Sequence, residues 1–436
     1  MSKQSLMPHQ VSELAFLRRQ PRAFLFSETG TGKTPTLSRY ADETLQAGQR
    51  VLWLTDAGLI EQLKMEAVCW LSPRSPQPVD LRRAPAAALF VAASHKWGAE
   101  NIDTLPEVDL VIVDEADASG TGGEKPNSPT FTGIKRACSL APRSVLATAT
   151  PVASVHGLDL YALLEAGQCP DLLARSQFLT FVRYSEFDTG WGKKTVPTGL
   201  GQRGVQCLQR YVAQVAVATR LSDLTVRLPG IVKEDVPVLL GSAALAEYEE
   251  IRANKSGLAR HLQSVRAVRG PEGLARATAK AIVATVGRGE THILVYTEHF
   301  DMLDAVLSEL AKTGLPTWKL TGKETMPARQ RAIDEHKRSA NGVLIGTRAI
   351  ETGLNLQHCS TLISVMASWS YSRESQREGR IRRTGSPYDT VRHVRIAPKV
   401  SLEEARKDRV EVKRELHTNI MSAVPRAHSA QTLSTA

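Results

Sequence analysis

The sequence predicts an α/β protein made of two tandem parallel-sheet units, and three observations predict it. Short continuous apolar runs alternate with stretches of helical spacing. They do so in two series. A long stretch of different character separates the series. Runs this short, rich in Val, Leu, Ile and Phe, read as strands buried on both faces, and the helices between them supply the crossovers that parallel pairing needs.

In the first series the strands fall at residues 23–26, 51–55, 89–93, 110–113 and 144–147, with helical spacing over 34–47 and 59–69. In the second they fall at 293–296, 317–320, 343–345, 362–365 and 391–396, with helices over 301–311 and 326–337. Between the series, 154–165 and 206–221 read as helices and 191–204 as a glycine-rich basic loop. Residues 227–237, bracketed by prolines, read as an extended linker. Residues 401–422 read as one charged helix, and the tail beyond Pro425 is small, polar and expected to be mobile. The expected domains are 1–228, 229–400 with a basic helical insertion near 241–288, and a C-terminal segment 401–436.

A chain of 436 residues suits two domains, and a net charge of +10 favours a polyanionic partner, because neutralising phosphates releases condensed counterions. Between 251 and 288, Arg252, Lys255, Arg260, Arg266, Arg269, Arg276, Lys280 and Arg288 face a single acid, Glu272. That stretch is either a solvated helix face or a surface for backbone phosphates. The five cysteines lie far apart, with no C-x-x-C pair, so their spacing suggests neither a zinc site nor a disulfide framework. No signal-peptide pattern or membrane-length apolar run occurs, so a cytoplasmic protein without membrane contact is expected, or a nuclear one in a cell with a nucleus. Trp53, Trp70 and Trp97 read as core packing, whereas Trp191, in the basic loop, is a candidate nucleic-acid contact.

The first strand runs directly into Ser27, Glu28, Thr29, Gly30, Thr31, Gly32, Lys33 and Thr34, and then a helix begins. That order suits a triphosphate. Backbone N–H groups form a donor nest, the glycines allow close approach, Lys33 reaches the β- and γ-phosphates, and Thr34 offers its hydroxyl to Mg2+. Ser27 stands where the strict G-x-x-x-x-G-K-[ST] pattern has its first glycine. The strand at 110–113 ends in Asp114, Glu115, Ala116 and Asp117, about 80 residues after Lys33. Asp114 is placed to hold Mg2+, and Glu115 to orient and deprotonate the attacking water.

These motifs, with others along the chain, resemble the superfamily-two helicases. Ala147, Thr148, Ala149, Thr150 and Pro151 match the motif that couples hydrolysis to nucleic-acid grip. Gln10, after Met7, Pro8 and His9, resembles the adenine-reading glutamine. Ser94 with His95, and Thr55 with Asp56, occupy the places of lobe-one segments near the nucleic-acid strand. In the second series, Thr347 and Arg348, followed by Glu351, Thr352, Gly353, Leu354 and Asn355, resemble motif V, which contacts the backbone and senses nucleotide. Gln376, Arg377, Glu378, Gly379, Arg380 and Arg383 resemble motif VI, which makes Arg380 and Arg383 the arginine fingers and places Gln376 and Gly353 at the nucleotide. The resemblance implies two RecA-like lobes with helical insertions between motifs III and IV.

Within that superfamily the chain is most similar to the Swi/Snf-type ATPases. The phosphate loop S-E-T-G-T-G-K-T, the ending R-I-R-R-T-G, and Leu320–Lys323 with Arg329 and Gln330 carry that likeness, as does the gap of about 140 residues between Thr150 and Ile293. Phe181 to Tyr184, and Thr219 to Leu228 with Pro229, resemble the annealing-helicase branch. Asp117 departs from the histidine usual there. The resemblance implies ATP and Mg2+ as cofactors and a motor on double-stranded DNA, with strand separation of DNA or RNA and a non-catalytic clamp as the alternatives. Both halves of the ATP site lie in one chain, so a monomer suffices; a protein partner would supply any further recognition. The compact size suits a bacterial or viral gene.

Overall fold

The computed structural model describes residues 5–85, 87–105, 107–119, 128–188, 193–224, 228–254, 273–351, 354–366, 370–383, 385–399 and 401–427. The chain divides into two compact units, residues 1–225 with 412–436, and residues 226–411.

Unit 1 runs α1 (Pro8–Arg19), β1 (Arg22–Leu25), α2 (Lys33–Gln46), β2 (Val51–Thr55), α3 (Ile60–Val68), β3 (Val79–Asp80), β4 (Phe90–Ser94), α4 (His95–Glu100), β5 (Leu110–Val113), α5 (Pro129–Leu140) and β6 (Arg143–Ala147). It continues through α6 (Leu158–Ala166), α7 (Arg175–Leu179), β7 (Val182–Asp188), β8 (Lys193–Leu200), α8 (Gln202–Val215) and β9 (Ala216–Val217). Its sheet has the order β3-β4-β2-β5-β6-β1-β9 and every pairing is parallel. The strands are buried on both faces, as their unbroken apolar character requires. Along β1 the side chains alternate: Phe24 joins one core, and Ala23 and Leu25 join the core on the opposite face. Trp53 is fully buried, while Trp70 and Trp97 are half-buried.

Unit 2 runs β10 (Gly230–Val238), α9 (Ser242–Asn254), α10 (Leu274–Gly287), β11 (His292–Thr297), α11 (Phe300–Ala311), β12 (Thr317–Leu320), α12 (Met326–Arg338), β13 (Gly342–Gly346), β14 (Thr361–Val365), α13 (Tyr371–Ile381) and β15 (Thr390–Pro398). The sheet order is β10-β15-β14-β11-β13-β12, again wholly parallel. Both units are therefore RecA-like α/β lobes. A last helix, α14 (Ser401–Met421), begins among the residues of unit 2 and ends among those of unit 1. Among the described residues no helix is long and apolar enough to cross a membrane.

Four local expectations are corrected. Residues 193–200, expected in a loop, form β8, paired antiparallel with β7 as a separate two-stranded ribbon. The β-branched Thr195, Val196 and Thr198 suit a strand once a partner is present. Residues 230–238, expected in a linker, are an edge strand in register with β15 over their whole length, and Pro237 is tolerated because an edge strand leaves one side unpaired. The helix expected to Leu221 stops at Val215, because the next two residues add a strand beside β1. The helix expected from Ser154 starts at Leu158. Asp159 holds the preceding turn by accepting from the Ser154 hydroxyl and backbone N–H, and Gly157 turns there at φ 66°.

The C-terminal segment is tied to unit 1. Ile420, Met421 and Val424 join its core, Gln209 donates to Asn419, and Ala218 exchanges backbone hydrogen bonds with Pro425 and Ala427. The tail expected to be mobile after Pro425 is thus held as far as Ala427. Trp191, and Lys255, Arg260, Arg266 and Arg269 of the basic stretch, lie outside the described residues.

Candidate nucleotide site and helicase motifs

In the unit 1 sheet β5, β6 and β1 are neighbours, with Val113 opposite Leu146 and Ala147 opposite Leu25. Their C-terminal ends bring the acidic tetrapeptide, the Ala147-to-Pro151 motif and the phosphate loop to one edge. Sequence distance hides this proximity.

The loop after β1 turns through Gly30 at φ 90° and Gly32 at φ 85°, a region that favours glycine. A Cβ on Gly32 would also lie 2.5 Å from Gln10 Nε2. Thr31 closes the turn by donating from its N–H and its hydroxyl to the Glu28 carbonyl. Lys33 opens α2, and its ammonium donates to the Ser27 carbonyl at 3.0 Å. Thr29 and Thr34 are half-buried beside it. The loop amides and the positive end of α2 make a donor set that fits a triphosphate. Glu28 looks the other way, its carboxylate accepting from the Leu221 N–H at 2.8 Å, so it supports the loop through β9's exit.

Ser27 has a structural reason. Its buried hydroxyl donates to the Glu13 carboxylate and accepts from the Thr219 N–H at 2.9 Å. Glu13, on α1, also accepts from Thr36 at 2.8 Å and Thr219 at 2.7 Å. One buried carboxylate thus gathers the phosphate loop, α2 and β9's exit. Reading along the sequence missed Glu13; an acid among the apolar positions of an amphipathic helix was the available signal. Ser27→Gly, which restores the strict phosphate-loop pattern, is expected to lower stability by about 1–2 kcal/mol, since it leaves the buried Thr219 N–H without its acceptor. Urea unfolding measures it.

Gln10 is 3% exposed, with both ends of its amide committed: Oε1 accepts from Met7 N–H at 2.9 Å, and Nε2 donates to the Gly32 carbonyl at 3.1 Å. His9 Nε2 lies 2.8 Å from the Thr31 carbonyl. Gln10 therefore braces the loop from below. Gln10→Ala is expected to weaken ATP and GTP binding by a similar factor, as a lost brace does, and a selective loss of ATP would instead mark a base reader. Parallel titrations with both nucleotides decide it.

At the end of β5, Glu115 adopts φ 49°, left-handed backbone that a side chain seldom takes. Its N–H donates to Asp114 Oδ1 at 3.0 Å. Burial and the Glu115 charge raise the Asp114 pKa, and Lys33 opposes the shift. A cation brought to this carboxylate would be strongly favoured, so the residues fit Mg2+. Asp117, the departure noted in sequence, accepts from Thr148 Oγ1 at 2.6 Å and Thr150 Oγ1 at 2.7 Å. It joins the acidic motif directly to the Ala147-to-Pro151 motif.

Of this lobe's coupling and nucleic-acid candidates, all but the half-buried Ser94 are buried. His95 is buried and donates from Nε2 to the Asp114 carbonyl at 2.7 Å; burial holds its pKa down despite that bond. Ser94 caps α4 through the Trp97 N–H. Thr55, Thr148 and Thr150 are at most 1% exposed. These residues shape the edge from inside.

In unit 2, Thr347 and Arg348 follow β13. Gly346 must be glycine, because a Cβ there would sit 2.3 Å from the Leu320 carbonyl. Thr347 is buried and Arg348 exposed. Helix α13, capped by Ser370, carries Gln376, half-buried, with Arg377 and Arg380 buried. Arg377 donates to Glu351 at 3.0 Å and lies 3.8 Å from the centre of the Tyr296 ring. Arg380 donates from Nε at 3.1 Å, and also from Nη2, to the Glu351 carbonyl. Arg383 donates to the Gly379 carbonyl one turn back. Motifs V and VI therefore meet at Glu351. Thr352 and Gly353 lie outside the described residues.

Residues 277–385, which run from within α10 to just past motif VI, match the family model of the helicase conserved C-terminal domain. That segment of unit 2 is therefore similar to a helicase C-terminal domain. No curated protein matches the chain. Among solved structures, the Sulfolobus solfataricus SWI2/SNF2 ATPase core in complex with dsDNA is similar at a TM-score of 0.45 and 15% identity, covering 98% of this chain and 95% of that one.

Unit 2 anchors the helix α13 with charge. Glu378 meets Lys233 of β10 at 2.6 Å and His393 of β15 at 2.8 Å, and Glu374 meets Arg395 at 3.1 Å. Burial alone would raise Glu378, but the hydrogen bond from His393 and the charges of His393 and Lys233 outweigh it and hold the carboxyl at about 2, against 4.5 for an ordinary glutamate. A depressed acid stabilises the fold fully above its unfolded pKa, and that contribution is lost as pH falls toward the folded value. The lobe is therefore expected to lose on the order of 2–3 kcal/mol between pH ~4.5 and ~2 through this group. Glu378→Gln should flatten that part of the pH–stability curve.

Proposed function

We propose that the chain is an ATP-hydrolysing motor of the Swi/Snf type that moves along double-stranded DNA and remodels or reanneals it. One observation carries the reading: phosphate loop, acidic pair and coupling motif converge on one sheet edge, where Asp117 bonds both coupling threonines. The helicase C-terminal lobe and the net charge of +10 support it.

The loop amides and Lys33 bind the phosphates. Thr34 and Asp114 would hold Mg2+, which supplies charge neutralisation at the β- and γ-phosphates. Glu115 orients the water and accepts its proton. Arg380 and Arg383 stabilise charge that develops on the transferring phosphoryl group. Asp117 carries the change at the acidic motif into the Ala147-to-Pro151 segment, since two short hydrogen bonds oblige the two to move together. Each cycle alternately tightens and releases the grip on a backbone.

Phosphate release measured with duplex DNA, single-stranded DNA, RNA and no polymer tests this. Stimulation by duplex DNA is expected. Stimulation by RNA alone would overturn it, and no hydrolysis under any condition would leave a nucleic-acid clamp. The separate ribbon of β7 and β8 favours strand separation as a second reading, and a strand-displacement assay on a tailed duplex distinguishes that from translocation.

A further inference from the structure

The edge of the unit 2 sheet opposite motif V holds a cluster of side chains that nucleotide chemistry does not use. Three parallel strands begin there, β11 at His292, β13 at Gly342 and β14 at Thr361. His358 and Cys359 immediately precede β14, and His336 stands in the last turn of α12. His336 and Cys359 are fully buried, and His358 is 9% exposed. His336 Nδ1 lies 2.9 Å from His358 Nε2, and Cys359 Sγ lies 3.8 Å from that same nitrogen. One donor atom from each of the three falls within 4.8 Å of the others.

The surroundings orient these donors. His336 Nε2 lies 3.1 Å from the Gly342 carbonyl. A carbonyl only accepts, so Nε2 carries the proton and Nδ1 turns its lone pair toward His358. A backbone carbonyl fixing the far nitrogen of an imidazole is how metal-binding histidines are commonly held. The His292 ring stands 4.9 Å from that of His336 and 5.8 Å from that of His358. Its Nδ1 pairs with Thr291 Oγ1 at 2.9 Å, while its Nε2 is buried with no hydrogen-bond partner. Hydrogen bonding explains the contact between His336 and His358. It leaves the His292 nitrogen idle, at a cost that buried polar atoms rarely carry without reason.

We propose that His292, His336, His358 and Cys359 bind a Zn2+ ion in a closed structural site that fastens α12 to the starts of β11 and β14. Three imidazoles and a thiolate form the nitrogen and sulfur set that zinc favours, and four protein ligands leave no position open for chemistry. Tetrahedral bonds would set the nitrogens about 3.3 Å apart and sulfur about 3.6 Å from nitrogen, within a few tenths of an ångström of the 2.9 Å between His336 and His358 and the 3.8 Å between Cys359 and His358. His292, which stands outside that three-residue group, would swing its idle Nε2 inward as the fourth ligand. On binding, the Cys359 S–H bond breaks, a Zn–S bond forms and the proton leaves to solvent. The proton on His358 Nε2 moves to Nδ1. Because the metal displaces the thiol proton, affinity rises with pH.

Titration of the reduced full-length chain with Co2+ tests the site without reference to activity. One equivalent should produce the visible bands of tetrahedral cobalt with a thiolate-to-cobalt charge-transfer band, and Zn2+ should bleach both. Cys359→Ser should lose the charge-transfer band while circular dichroism stays native. Cys69→Ser, which removes an exposed thiol, should retain it. His292→Ala should weaken binding by at least about 10–100-fold. Absence of the charge-transfer band in the unaltered protein, its survival in Cys359→Ser, its loss in Cys69→Ser, or full affinity in His292→Ala would each overturn the four-ligand site.

Discussion

Replacing Glu115 with glutamine is expected to lower ATP turnover by about 10³-fold or more and to leave ATP affinity within a few-fold. Glutamine matches glutamate in size and keeps the N–H that donates to Asp114 Oδ1, but it cannot accept a proton from water. The backbone supports the choice of this residue. Glu115 sits at φ 49° at the end of β5, and strain of that kind persists only where its surroundings impose it, which is common at reacting centres. Phosphate release gives the turnover and titration with a fluorescent nucleotide gives the affinity. Normal hydrolysis by Glu115→Gln would remove the base role from this residue. A parallel loss of affinity would mean that the carboxylate chiefly organises the loop.

Arg380→Ala is expected to reduce turnover by about 10³–10⁵-fold, the range a transition-state guanidinium supplies. Arg380 also holds the Glu351 carbonyl, so loss of that support must be told apart from loss of charge. A supporting role alone would lower the unfolding temperature and nucleotide affinity together. A role in the transition state lowers the single-turnover rate at saturating ATP while affinity holds. Arg380→Lys keeps the charge but loses the planar fork, and it is expected to recover little of the rate. Full recovery with lysine would point to charge alone.

Much of the candidate nucleotide site was legible because phosphate chemistry is local. A nest of amides needs closely spaced glycines, a lysine and a hydroxyl directly after a strand, and residues 27–34 supply them in order. The acid pair at a strand's end and the arginines of α13 follow the same logic. Gln10, Ser94 and His95 were harder, because a motif names a residue without saying which way it faces. In the fold Gln10 bonds the loop carbonyls, Ser94 caps a helix and His95 bonds the Asp114 carbonyl. Glu13 was missed for a related reason: its three partners, Ser27, Thr36 and Thr219, come from separate stretches of chain.

Taken alone, the sequence determined the two parallel sheets, since period and apolar run length are properties of neighbouring residues, and it singled out the candidate phosphate loop, acid pair and arginine helix. Tertiary structure decided what depends on pairing across distance. It made residues 230–238 an edge strand beside β15 and residues 193–200 half of a ribbon. It carried the chain after Pro425 back to Ala218. It also turned Asp117, a departure from the family pattern, into the acceptor that joins two motifs. In each case the deciding partner lies far along the chain, and a strand, a buried carboxylate or a tail acquires its place only when backbone and side-chain hydrogen bonds are satisfied in three dimensions.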